Sequence, residues 1–160
     1  MLIEPDQAVQ FLEKYKAIMR YLNKGDEPSS HNHYTELRTE LYQRLDDIEN
    51  DCADEVGHEF IESLRSAIVG RFVYLKKYQK GYVFQSVESS KYYQAKALTT
   101  PLDDLMDDFW VIETALISFD QQLICDGLFL SPNISIGKNM MKDIRDGYWE
   151  AKRAGELVTS

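Results

Sequence analysis

The stretch from Phe109 to Leu130, FWVIETALISFDQQLICDGLFL, constrains the fold more than any other. It is the most apolar part of the chain, and its first half is rich in β-branched and aromatic residues. On an extended chain Trp110, Ile112 and Leu116 point one way, and Val111, Ala115 and Ile117 the other. A strand apolar on both sides is usually central and covered on both faces. Asp120-Gln121-Gln122 interrupts the run where a hairpin would turn. A membrane span fails, because Glu113, Asp120 and Asp126 would enter hydrocarbon at roughly several kcal/mol each. The stretch is predicted to be the core hairpin of a sheet.

The rest of the chain supplies partners for that hairpin. Pro5 suits a first helical position, and Ala8, Phe11, Leu12, Tyr15, Ile18, Met19 and Leu22 follow at helical spacing up to Asn23-Lys24-Gly25. Gly25 to Asn32 reads as a loop, and Tyr34, Leu37, Leu41, Leu45, Ile48 and Cys52 mark a second helix. Asp51 to Gly57 breaks the pattern, after which Val56, Phe60, Leu64 and Ile68 mark a third. The period then shortens to two. Phe72 to Tyr78, Tyr82 to Val87 and Lys91 to Leu98 read as strands, with turns at Gln79-Lys80-Gly81 and Ser89-Ser90. Thr100 is placed to cap a brief acidic helix from Leu102 to Asp108 that has Pro101 at its first position. Gly127 suggests a bulge or a close backbone approach, and a final helix runs from about Gly137 to Ala154.

The class is therefore α+β: about three N-terminal helices, a meander of about five antiparallel strands and a C-terminal helix on the sheet. No repeat or linker divides the 160 residues, so residues 1–160 are read as one domain. Residues 1–68 form its helical part, and 69–160 the sheet and last helix. Cys52 and Cys125 are read as reduced core thiols, and MLIEPDQAV lacks the basic and apolar regions of a secretory signal. Both point to the cytoplasm. The net charge of −9 disfavours bulk nucleic acid, whose phosphates would be repelled at long range.

Four groups of residues bear on chemistry. Glu113 and Asp126 interrupt the apolar core, and a hairpin can bring them to neighbouring strands as an acid–base couple. The simpler reading pairs each with a cation from Arg71, Lys76 or Lys96. Glu55 and His58 have the i, i+3 spacing of one half of a carboxylate-bridged metal site, and His31 and His33 sit together in a polar loop. Neither group has enough ligands nearby in sequence, so no metal and no cofactor is expected. Cys125 lacks a neighbouring base and reads as a packed thiol.

The segment RFVYLKKYQKGYVF interleaves cations with tyrosines and is the basic exception in an acidic chain. Strand alternation through Tyr78 and on to Lys80 would gather Tyr74, Lys76, Tyr78 and Lys80 on one face, with Arg71 nearby. Such a surface grips single-stranded nucleic acid or an anionic peptide by stacking and charge. It equally fits a sheet edge in which tyrosines pack and lysines solvate.

GRFVYLKKY at residues 70–78, ALTTPL at 97–102, ETALI at 113–117, ICDGL at 124–128 and Ile136-Gly137 carry one further reading. On these pieces residues 69–155 resemble a small family of bacterial cytoplasmic proteins with no established activity. The resemblance implies a bacterial origin and transfers no site. With no GxSxG, GxxxxGK[ST] or GxGxxG motif present, the leading expectation is a non-catalytic interaction or regulatory domain with a protein partner, capable of self-association. A small hydrolytic or metal-assisted enzyme and a single-strand-binding module are the alternatives.

Overall fold

A computed structural model describes residues 1–160. Four helices come first: α1 (Pro5–Leu22), α2 (His31–Gln43), α3 (Leu45–Val56) and α4 (His58–Arg65). Strands β1 (Ile68–Tyr78), β2 (Gly81–Ser86) and β3 (Tyr92–Ala95) follow, then a single 3-10 turn (Leu102–Asp104). Strands β4 (Trp110–Phe119) and β5 (Gln122–Cys125) form the expected core hairpin, and α5 (Lys138–Ala154) comes last. The α+β class, with helices before strands and a helix on the sheet, is the one read from the sequence.

The helical part is cut more finely than its periodicity indicates. The second predicted helix is two helices, broken where Arg44 leaves helical geometry at φ −122° and ψ 29°. Gly57, at φ +87°, then separates α3 from α4. At the other predicted helix start Thr100 caps nothing, and the acidic segment makes one 3-10 turn after Pro101. No helix is long and apolar enough to cross a membrane.

All strand pairs are antiparallel, in the order β3-β2-β1-β4-β5. Consecutive strands are neighbours except at β3 to β4, where the chain returns to the far side of β1. Lys96 then brings the two edges together. Its N–H donates to the Leu123 carbonyl and its carbonyl accepts from the Cys125 N–H, both at 2.9 Å. The ends of the chain complete the seal: Val158 pairs with Tyr93, the Leu123 N–H donates to the Thr159 carbonyl, and Leu2 pairs with Ala97. The sheet thus curls into a small barrel, which hides edge groups that would otherwise recruit other chains.

The two-sided apolar pattern of β4 has a direct structural meaning. Ile112 and Leu116 fill the barrel with Phe72, Tyr74, Phe84 and Cys125. Ala115, Ile117 and Phe119 face outward under α1, α3 and α4. Val111 lies with Val73 and Leu75 beneath Tyr148 of α5. The central strand is covered on both faces, as its composition demands. Asp120 and Gln121 turn the hairpin with φ of 50° and 62°, the two positive values a tight two-residue connection requires. Gly127, at φ +77°, ends β5 rather than bulging it.

Candidate functional site

The last residue before Gly127 anchors the chain's buried polar cluster. Asp126 accepts at 3.0 and 3.1 Å from Nη1 of Arg38, at 2.8 Å from the Tyr15 hydroxyl and at 3.3 Å from Thr114. The Leu128 N–H donates to it at 3.0 Å, and the Leu128 carbonyl accepts from Arg38 and Thr114. Both members of the ion pair are buried. A buried carboxylate survives only when its lone pairs are used, and here five contacts use them. Burial opposes the Arg38 charge, but Asp126 and Tyr15 outweigh it and hold the guanidinium above its ordinary pKa. Burial first, then Asp126, push Tyr15 well above the ordinary tyrosine range.

Above this cluster lies a cavity of about 540 Å³ between α2 and the end of the barrel. Arg38 and Tyr42 line it from one helical face, four residues apart. Gly70 and Thr114, cross-strand partners in β1 and β4, line it from the sheet. At the rim Nη2 of Arg71 donates to Glu113 at 3.0 Å, and the exposed Glu88 lies across from them. Only Nη1 of Arg38 bonds to protein, which leaves Nε and Nη2 without an acceptor. The buried Tyr42 hydroxyl lies near Tyr15 but makes no hydrogen bond of ordinary geometry. Val69, Val87 and Leu130 are exposed hydrophobics around the opening. A second depression of about 500 Å³ continues along the segment after Leu130, beside the exposed Trp110 and Ile134.

Glu113 and Asp126 are therefore not one another's partners. Glu113 is held by Arg71, one of the cations the sequence offers it, whereas Asp126 is held by Arg38, which the sequence reading did not consider. Each carboxylate is committed to its own arginine, so no couple at one reacting centre results. Cys125, beside Asp126, is buried, and burial pushes its thiol up to about 11. A nucleophilic cysteine needs the opposite shift.

The histidines are placed apart. His31 packs edge-on against Phe129, and His33 Nδ1 accepts from the Ser29 N–H at 3.1 Å. Ser30 between them caps α2, its hydroxyl accepting from the His33 N–H. Glu55 and His58 fall on opposite sides of Gly57 in different helices, which removes the shared helical face their spacing suggests. His58 instead lies 3.8 Å from Glu49. No three His, Cys, Asp or Glu side chains converge as metal ligands would.

The lysine–tyrosine face is split by a bulge. Tyr74 pairs with Phe84 and Lys76 with Val83, so Leu75 is an extra residue that reverses the alternation. Tyr74 consequently points into the barrel and is fully buried. Tyr78 lies on the other face, stacked on Tyr148 with ring centres 4.4 Å apart. Lys76 extends over the Tyr78 ring, Lys80 is exposed in the hairpin turn, and Arg71 belongs to the cavity rim instead. Compared with protein-family models, curated proteins and solved structures, the chain matches none.

Proposed function

We propose that the chain is a non-catalytic interaction domain of the bacterial cytoplasm whose partner seats in the cavity beside α2. One observation carries the reading: Val69, Val87 and Leu130 surround the opening at 42%, 49% and 44% exposure. Three large aliphatic side chains left in water around a concave site form the kind of patch that a partner covers. Asp126 and Glu113 are each engaged by an arginine, which organises a binding surface better than it supplies an acid or a base. Trp110 and Ile134 add exposed apolar side chains at a second depression beyond Leu130.

A photoreactive residue in place of Val87, used in living cells, tests this. It is expected to give one discrete cross-linked product, lost in a Val69→Asp/Leu130→Asp variant of unchanged melting temperature. The same probe at Asp54, exposed on α3, gives none. Equal, diffuse products at both positions would overturn the reading.

A further inference from the structure

We infer that this cavity takes a lysine or arginine side chain of the partner, and that Glu88 binds it. The inference rests on the interaction reading above and adds the chemistry of the partner. Arg38 is compensated by Asp126 and Arg71 by Glu113, whereas the Glu88 carboxylate makes neither an ion pair nor a hydrogen bond. The site therefore carries one uncompensated negative charge, in a chain of net charge −9 that draws cations from a distance.

The position of Glu88 is built into the strand beneath it. Gly70 has φ +153°, and a Cβ there would lie 3.1 Å from Glu88 Oε1. With no side chain at Gly70, the carboxylate can lie across β1 and face the cavity. A residue with a Cβ would both strain the backbone and push the carboxylate away. On the wall of the same cavity, Nε and Nη2 of Arg38 are used by no protein acceptor. A peptide carbonyl can accept from these donors while the basic side chain of the same residue reaches Glu88. Val69 and Val87 beside the carboxylate suit the aliphatic stem of such a side chain. An acidic side chain would meet Glu88 and Glu113, where the charges of both arginines are already balanced by Asp126 and Glu113.

The test is a titration of the isotope-labelled full chain with N-acetyl-arginine amide, followed by NMR. Saturable shifts are expected at the amides of Gly70, Val87 and Glu88. The neutral isostere N-acetyl-citrulline amide and the acidic N-acetyl-glutamate amide are expected to bind roughly tenfold or more weakly. Glu88→Gln is expected to weaken the arginine probe to a similar degree, and because Glu88 is exposed the variant should keep its melting temperature. Absence of saturation, equal binding of the acidic probe, or an arginine affinity untouched by Glu88→Gln would overturn the assignment. Spermidine binding that ignores Glu88→Gln, with no effect on the arginine probe either, would mark diffuse attraction to an acidic chain and count against it too. A partner cross-linked at Val87 that still binds Glu88→Gln at full strength would remove this inference and leave the interaction surface standing.

Discussion

Arg38 and Asp126 are worth most as a pair and least singly. Both are buried, and the neighbours of each are arranged around the charge of the other. Arg38→Ala should leave Asp126 an unpaired buried carboxylate and lower stability by about 3–5 kcal/mol, as should Asp126→Ala in the reverse sense. The double variant should lose clearly less than the sum, which a denaturant titration of the three variants checks. A second expectation at this scale is alkaline weakening. Burial raises the Cys125 thiol from its ordinary 9.0 to about 11, and burial with Asp103 raises Tyr82 from 10.0 to about 12. The unfolded chain therefore releases these protons first as pH rises. The stability they contribute is intact below about pH 9 and is lost progressively as pH climbs through the folded values. Urea titrations at about pH 8 and about pH 11 should differ, and Cys125→Ala should remove the earliest part of the fall.

Among the elements, the β4–β5 hairpin is where the chain is least tolerant. Leu116 is fully buried in the barrel, so Leu116→Ala should cost roughly 2–5 kcal/mol in a denaturant titration. Its turn offers the opposite opportunity. Gln121 holds a positive φ of 62°, and Gln121→Gly should raise stability by up to about 1 kcal/mol. This hairpin was legible because composition, turn residues and two-sided burial all agree along Phe109 to Leu130. The break at Arg44 was not. Leu41, Leu45 and Ile48 keep helical spacing across it, and no glycine or proline marks the place. The bulge at Leu75 was equally silent, and with it went the parity that would have put Tyr74 beside Lys76. The signal for Arg38 was present but overlooked. It sits between Tyr34, Leu37 and Leu41 on the apolar stripe of its helix, as Asp126 sits in an apolar strand. Two opposite charges that must both be buried have reason to meet. The cavity itself was beyond reach, because Tyr42, Gly70 and Glu88 converge only through the fold.

For the molecule as a whole, the acidic balance, the burial of Tyr74 and the packing of the half-buried Tyr78 ring on Tyr148 oppose stacking on bases. A gel-shift titration with single-stranded oligonucleotides should show no binding even at low salt; micromolar, salt-sensitive binding would count against the interaction reading. The closure of the barrel also sets a timetable. Cys125 completes the fifth strand, yet the hydrogen bonds from Gln94 and Leu123 are accepted by Val158 and Thr159, with α5 intervening. At about 5–20 residues per second, the roughly 33 residues between them take about 2–7 s to synthesise. For those seconds a nascent chain carries all five strands and lacks the segment that completes the seal Lys96 begins between β3 and β5. A chain halted at Gly155 would remain in that interval permanently, with hydrogen-bonding groups of two strands open to a neighbour on the same messenger.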